Sequence, residues 1–205
     1  GPSNFINTRP AEDADEAAIE RASIGTSFFH TDYRIVEPTS LEPVPLDTPG
    51  ELQMRSLHDF DGYLDDPART AERWTADGWI RSGDLAREDS AGRVFIVGRL
   101  DNVIVSGGEN IAAEEVETVL RTHPDVTGAL VFGVDDPRWG ARPVAWLTGP
   151  AHDASATLAE WLDDRLARFK HPAVIEVVDA LPLTGAGKPD RRQARHHYEQ
   201  THPRG

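Results

Sequence analysis

The chain has 205 residues, of which 39% are hydrophobic and 27% charged, and its formal net charge is −14. These proportions are ordinary for one large globular domain or two small ones. The acidic balance argues against nucleic acid as a partner, because nucleic-acid-binding surfaces are basic. No run of about 18 apolar residues predicts a membrane span, and no secretory leader opens the sequence. Because the chain contains no cysteine, disulfides and thiolate metal sites are excluded, and a cytoplasmic location is expected.

The first hundred residues are rich in predicted strands. Apolar and β-branched patterns and turn residues predict, in chain order, a strand at 28–37, a proline-rich loop at 38–50, a strand at 50–55, a short helix at 67–74 and a strand at 92–98. The acidic segment 11–21 is compatible with either a short exposed helix or a disordered arm. We expect this part of the chain to be too short and irregular to bury a substantial core of its own.

The second half alternates strands with helices. The pattern predicts a strand at 102–106, a helix at 112–123, strands at 126–134 and 142–148, a helix after the N-cap Ser155, and a strand at 173–178. This β-α-β-β-α-β order is typical of a small α+β domain. The remainder, 183–205, is rich in glycine, proline and arginine and shows little sign of contributing to a core.

Three segments carry the most specific patterns: 77–86 (DGWIRSGDLA), 98–117 (GRLDNVIVSGGENIAAEEVE) and 181–191 (LPLTGAGKPDR). Together with 49–52 and 62–64, they closely resemble the late core motifs of the adenylate-forming superfamily, which includes acyl- and aryl-CoA synthetases, luciferase and peptide-synthetase adenylation domains. The resemblance implies the C-terminal part of an ATP-dependent, AMP-forming ligase. Residues 1–100 would be the strand-rich remnant of its large N-terminal domain, and residues 101–205 its mobile C-terminal lid.

Lys188 is the candidate catalytic residue. Taken alone, a lysine in the loop Gly-Ala-Gly-Lys-Pro is most often a solvated charge. The resemblance implies instead that Lys188 is the adenylation lysine, whose ammonium stabilises the charge that develops on the α-phosphate of ATP.

Nucleotide-binding and hinge residues follow from the first two segments. The resemblance implies that Asp84 binds the ribose hydroxyls of ATP, that Arg99 reaches the nucleotide and that Asp101 is the hinge of the lid. From the residues alone, Asp84 is more readily interpreted as a turn or N-cap aspartate, and Arg99 and Asp101 as a surface ion pair in a hairpin turn.

Coenzyme A is the predicted thiol acceptor. The resemblance implies that CoA contacts a set of residues in the lid, namely Gly107, Gly108, Trp139, Arg168, Phe169 and Lys170. An aromatic ring flanked by two cations suits an adenine with its phosphates. Other interpretations are a glycine-rich turn, a tryptophan that anchors a loop and a phenylalanine that ends a helix face. A carrier-protein phosphopantetheine is the alternative acceptor.

Several parts that the superfamily needs do not occur in this sequence. They are a phosphate loop, an acyl pocket and a Tyr-Gly-x-Ser/Thr-Glu motif whose glutamate holds Mg²⁺. Residues 1–4 are either a remnant of that motif, with Asn4 at the position of the glutamate, or vector residues. We therefore expect the Mg²⁺ ligand in a missing N-terminal half, the main partner of this chain, and we expect the chain to be inactive alone. No metal site is predicted among its scattered histidines. A non-catalytic scaffold or regulatory module is the alternative of another class.

Overall fold

A computed structural model describes the chain over residues 5–6, 22–27, 30–150 and 155–202. The predicted acidic segment 11–21 and the possible motif remnant at Asn4 lie outside these residues. The chain divides into two compact units, Gly1–Asp101 and Asn102–Gly205. In the described ranges, none of the helices combines the length and the apolar character that a membrane crossing requires.

The first unit is built around an antiparallel sheet. Its elements are β1 (Phe5–Ile6), β2 (Thr26–Ser27), β3 (Thr31–Val36), β4 (Gly50–Ser56), α1 (Pro67–Glu72), β5 (Ile80–Glu88) and β6 (Val94–Arg99). Strands β3 to β6 pair in chain order, and β1 pairs with β2 separately. Helix α1 begins where the Asp66 side chain accepts a hydrogen bond from the Arg69 backbone N–H, with Pro67 at its first position, as expected for a helix start.

This sheet buries a small core, although we expected no substantial one. The buried apolar side chains are Ile35, Leu52, Ala86 and Val94. Three of the four strands that supply them, β3, β4 and β6, were predicted at nearly these positions. Strand β5 was not predicted, because its segment Ser82-Gly83-Asp84 interrupts the alternation of apolar and polar residues on which strand prediction depends.

The second unit contains a mixed sheet with helices on both faces. Its elements are β7 (Val103–Ser106), β8 (Glu109–Ala112), α2 (Ala113–Arg121), β9 (Gly128–Asp136), β10 (Gly140–Thr148), α3 (Ser155–Asp163), β11 (Val174–Val177) and α4 (Arg191–Thr201). Strand β10 pairs antiparallel with β9 along its whole length and parallel with β11. The hairpin of β7 and β8 joins this sheet where Ser106 of β7 pairs with Gly140 of β10.

Alternating side chains of β9 and β10 supply both faces of the sheet. One face buries Val131 and Leu147 against α2 and α3. The opposite face packs Phe132 and Trp146 against α4. The predicted α+β class is confirmed. Helix α4, however, lies in the segment 183–205, in which we saw little core pattern. The pattern was weak because this helix buries only Ala194 and Tyr198.

Candidate functional site

Asp84 lies on a bulge of β5. The register between β4 and β5 shifts between Glu51 and Gln53. Residues 82–84 of β5 are therefore unpaired in the ladder with β4. The Ser82 hydroxyl donates to the Leu52 carbonyl at 2.7 Å and accepts from the Asp84 backbone N–H at 2.9 Å. A bulge re-aims the side chains it carries, and here the Ser82 hydroxyl fixes the backbone of Asp84 to β4.

Arg99 is the cross-strand neighbour of Asp84. Its Nη1 donates to Asp84 Oδ1 at 2.6 Å and to the Ser82 carbonyl at 3.3 Å. Gly83 has a φ of +71°, and a Cβ at this position would come within 2.9 Å of Arg99 Nη2. The two side chains remain 41% and 32% exposed. Arg99 and Asp84, which we treated as separate nucleotide contacts, therefore form one accessible pair of a cation and a carboxylate.

Asp101 is the last residue of the first unit. It is exposed and lies in the single 3-10 turn Leu100–Asn102 that follows β6. Arg99 forms an ion pair with Asp84 in the adjacent strand.

Lys188 closes a turn whose tip is Gly185-Ala186-Gly187. The Thr184 backbone N–H donates to the Lys188 carbonyl at 2.7 Å, and the Lys188 N–H donates back to Thr184 Oγ1 at 3.2 Å. Gly187 has a φ of +75°, which favours glycine at that position. Lys188 is exposed, and among the residues that the structure describes none forms an ion pair or a hydrogen bond with its ammonium.

The two ends of this turn are joined to each other, and the second end is attached to the body of the second unit. The Asp190 backbone N–H donates to the Pro182 carbonyl at 2.8 Å, and the Asp190 side chain caps α4. Arg191, the first residue of α4, donates from Nη2 to Glu117 Oε1 at 2.7 Å. Glu117, for which no role was predicted, is thus an anchor of the loop 183–189 that carries Lys188, called here the lysine loop. Its partner could not be found from the sequence, since 74 positions separate the two residues.

A groove of about 310 Å³ brings together three of the residues predicted to bind CoA, namely Gly107, Trp139 and Phe169. The Gly107 backbone N–H donates to the Trp139 carbonyl at 2.9 Å. With a φ of +60°, Gly107 lies so close to the indole that a Cβ would be 2.7 Å from Trp139 Cε3. The ring and the backbone of Gly107 therefore form one continuous wall. Gly108 is exposed and has open space around it.

Asp136 sets the position of Trp139 in the groove. Its Oδ1 accepts hydrogen bonds from the backbone N–H groups of Arg138 and Trp139, at 2.9 and 3.0 Å. These two donors hold the pKa of the Asp136 carboxyl below its usual value. The Arg138 guanidinium lies 4.7 Å from the centre of the Trp139 ring, so a cation–π contact also holds the indole.

Arg168 and Lys170 do not line this groove, although they flank Phe169. Lys170 Nζ contacts both carboxylate oxygens of Glu115, at 2.6 and 2.7 Å. Arg168 Nη1 lies 2.7 Å from Asp163 Oδ1. The predicted cation cluster thus exists near the aromatic ring, but each cation is paired with a carboxylate of its own unit. Glu115 on α2 is one of these partners.

A second cavity of about 530 Å³ lies between β11 and α4, and Trp146, Glu176, His196 and His197 are among its lining residues. Glu176 Oε2 accepts from the Trp146 indole N–H at 2.7 Å. In the described ranges no group of three or more His, Asp or Glu side chains is placed to hold a metal ion.

The sequence is similar to known ligases. Residues 115–188 match the model of the AMP-binding enzyme C-terminal domain. Feruloyl-CoA synthase of an Amycolatopsis species is 41% identical over 179 residues, which are 86% of this chain and 36% of that protein. The 2-succinylbenzoate–CoA ligase of Enterococcus faecalis is 34% identical over 174 residues, or 85% of this chain and 35% of that protein.

Solved structures agree with the sequence relatives. The o-succinylbenzoate CoA synthetase MenE of Bacillus subtilis, in complex with the acyl-adenylate intermediate OSB-AMP, has a TM-score of 0.79 and 29% identity, covering 88% of this chain and 37% of that one. The amide bond synthetase McbA of Marinactinospora thermotolerans has a TM-score of 0.79 and 32% identity, covering 90% and 38%. The chain spans little more than a third of the length of these relatives. It belongs to the adenylate-forming enzyme superfamily and corresponds to the C-terminal portion of these enzymes.

Proposed function

We propose that this chain is the C-terminal part of an AMP-forming acyl- or aryl-CoA ligase, called here the parent ligase. The observation that carries the proposal is the exposed Lys188 ammonium. It stands at the closing residue of a turn whose two ends are hydrogen-bonded to each other and whose second end is held on the folded unit by Arg191. A cation presented in this way suits a site that receives an anionic substrate from elsewhere.

In the first step, a carboxylate oxygen attacks the α-phosphorus of ATP, and the bond from that phosphorus to pyrophosphate breaks. Charge develops on the phosphate oxygens during this transfer, and Lys188 stabilises it electrostatically. The Asp84 carboxylate accepts hydrogen bonds from the ribose hydroxyls. Arg99 holds Asp84 in place and offers further N–H groups to the nucleotide.

In the second step, the CoA thiol attacks the carbonyl carbon of the acyl-adenylate, and AMP leaves as the thiol proton is released. The wall formed by Gly107 and Trp139 leaves room for a thin pantetheine arm beside the backbone. The CoA nucleotide would approach Phe169, where Arg168 and Lys170 exchange their carboxylate partners for phosphates. Asp101 would be the hinge between the two steps.

The proposed partner is the N-terminal half of the parent ligase, with the phosphate loop, the acyl pocket and the Mg²⁺ ligand. The first unit exposes large apolar side chains at 57–64, with Leu57 80% and Leu64 93% accessible. Phe60 lies beside them and stacks on Trp74. Clustered apolar surface of this kind favours burial against another folded part. Without the phosphate loop and the acyl pocket of that half, we expect this chain to be inactive in either step.

A carrier-protein phosphopantetheine is the second acceptor to consider. Both acceptors present the same thiol arm to the groove of Gly107 and Trp139, so the groove does not separate them. The nucleotide end of CoA does, because only CoA brings phosphates to Arg168 and Lys170. Replacing both cations by glutamine should weaken a CoA reaction and leave a carrier reaction unchanged. A non-catalytic scaffold, the alternative of another class, predicts no adenylation in any combination.

To test the proposal, this chain is joined to the N-terminal half of the parent ligase, and the product is called here the joined ligase. AMP formation from ATP is then measured with CoA and a panel of carboxylic acids. Lys188→Ala should abolish most of the acid-dependent AMP formation. Arg192→Ala is the matched control, since it removes another exposed cation four residues away. Equal activity of Lys188→Ala and the unchanged enzyme, or a parent gene without a phosphate loop, would reject the proposal.

A further inference from the structure

Glu117 is a charged side chain in an apolar environment. It lies on α2, is 3% exposed and is surrounded by the core between α2 and the sheet. Oε1 accepts hydrogen bonds from the Val131 backbone N–H at 2.9 Å and from Arg191 Nη2 at 2.7 Å. A buried carboxylate loses its hydration on folding, so such groups persist only where they are paired and hydrogen-bonded.

Arg191 contacts the same strand residue as its acidic partner. Its Nε donates to the Val131 carbonyl at 3.1 Å, while Nη2 donates to Glu117. Glu117, Val131 and Arg191 thus form a closed ring of hydrogen bonds that joins α2, β9 and the start of α4. A planar guanidinium can make both contacts at once, whereas a lysine ammonium would have to choose one direction.

The ring extends to the segment that follows Asp101. Arg191 Nη2 also lies 3.2 Å from Glu114 Oε1, and the Asn102 side-chain amide donates to the same Glu114 oxygen. Arg121 Nη1 lies 3.5 Å from the second oxygen of Glu117. The first residue of the second unit is therefore attached to the same group of side chains as the end of the lysine loop.

The position of Arg191 on α4 is not explained by the helix itself. A cation at the first residue of a helix opposes the helix dipole, and the cap is already supplied by Asp190. Arg191 instead fixes the backbone three residues after Lys188. The residue before it, Asp190, is hydrogen-bonded to the Pro182 carbonyl at the other end of the loop. The tip of the loop, Gly185-Ala186-Gly187, is free to adapt, whereas the backbone of Lys188 is hydrogen-bonded to Thr184.

We propose that Glu117 and Arg191 are positioning residues for Lys188. Their ion pair fixes the base of the loop 183–189 to β9, so that the ammonium reaches the same position relative to the sheet in each adenylation. This inference rests on the proposed function of Lys188. The pair itself does not touch the nucleotide.

Hydrogen exchange of the complete chain tests the mechanical part without any activity. In Arg191→Gln, the backbone amides of Thr184, Gly187 and Asp190 should exchange at least about tenfold faster, since a hydrogen bond to a charged group is lost at the loop base. The control is Arg195→Gln, one helical turn further on, which removes the pairs to Glu199 and Asp135 and should leave these amides unchanged. Unchanged exchange in Arg191→Gln, or an equal increase in the control, would overturn the proposal.

Kinetics of the joined ligase test the functional part. Arg191→Gln should lower the adenylation kcat about tenfold, with the KM for ATP and thioester formation from supplied acyl-adenylate unchanged. A residue that only stabilised the fold would lower both half-reactions. Arg191→Lys keeps the positive charge and serves as a second variant in case Arg191→Gln fails to fold. It should restore less than half of the lost adenylation kcat. If Lys188→Ala has no effect on adenylation, the proposed function fails while the exchange result still decides whether the loop is anchored.

Discussion

The Arg191 guanidinium lies 2.7 Å from the buried carboxylate of Glu117 and donates at the same time to the Val131 carbonyl at 3.1 Å. Arg191 follows the exposed Lys188 by three residues. A loop rich in glycine would leave a lysine without a defined position. Because this loop ends on a buried ion pair, its exposed ammonium is carried on a fixed base, which is the arrangement that electrostatic catalysis requires.

The pH dependence of stability should report the burial of Glu117. Burial raises the pKa of its carboxyl above 4.5, while the Val131 N–H, Arg191 and Arg121 oppose that shift and Glu114 adds to it. Between 4.5 and the raised pKa, the folded chain binds a proton that the unfolded chain has released. This contribution to the unfolding free energy therefore falls as pH rises through the window. Urea titrations should show that slope in the natural chain and lose it in Glu117→Gln; parallel curves for the two would contradict the account.

Gly107 and Gly108 give a matched pair for the groove. Both have positive φ, so alanine at either position should cost about 1–2 kcal/mol of backbone strain. Only at Gly107 would the new Cβ meet Trp139, at 2.7 Å, whereas the space around Gly108 is open. Gly107→Ala should therefore change the Trp139 fluorescence and weaken CoA binding by calorimetry of the joined ligase. Similar losses of binding in both variants would show that the indole does not line the thiol path.

Ser82 should control the affinity for the ribose through Asp84. Ser82→Ala removes a donor to the Leu52 carbonyl and an acceptor for the Asp84 N–H, which should cost about 1–3 kcal/mol of stability. In the joined ligase we expect a raised KM for ATP. Ser82→Thr keeps the hydroxyl and is the control. A normal KM in Ser82→Ala would mean that the bulge holds its shape without this side chain.

Glu115 should compete with CoA for Lys170. The two side chains are in direct contact at 2.6 Å, so a phosphate can pair with Lys170 only after displacing the carboxylate. Glu115→Gln should then tighten CoA binding by the joined ligase, and Lys170→Gln should weaken it, with both effects reduced at high salt. If Lys170 serves only to hold α2, Glu115→Gln will not bind CoA more tightly, and that result would contradict the prediction.

Local patterns were sufficient for much of the fold. The β-branched run at 102–106 and the apolar face of Val116 and Leu120 predicted β7 and α2 close to their observed bounds. Strand β8 was not predicted, because Glu109 and Asn110 are polar and the strand is short. Helix α4 was missed because its polar residues outnumber Ala194 and Tyr198, and tertiary packing against Phe132 decides its position.

Short motifs select the candidate site residues, but they do not show how these residues pair across the chain. Lys188, Asp84 and Arg99 were selected from short motifs. The contact of Arg99 with Asp84 depends on strand register, and that of Arg191 with Glu117 on the packing of α4 near α2. Neither follows from sequence spacing. Likewise, Arg168 and Lys170 were expected to be available to a ligand, and only the structure shows the carboxylates that hold them.

The most direct test of the central claim separates the two half-reactions in the joined ligase. Lys188→Ala should reduce acid-dependent exchange of pyrophosphate into ATP by about 10²–10³, while thioester formation from a supplied acyl-adenylate stays within about twofold of the unchanged enzyme. Arg192→Ala should leave both rates intact. Pyrophosphate exchange at the unchanged rate in Lys188→Ala would contradict the assignment of this lysine to adenylation.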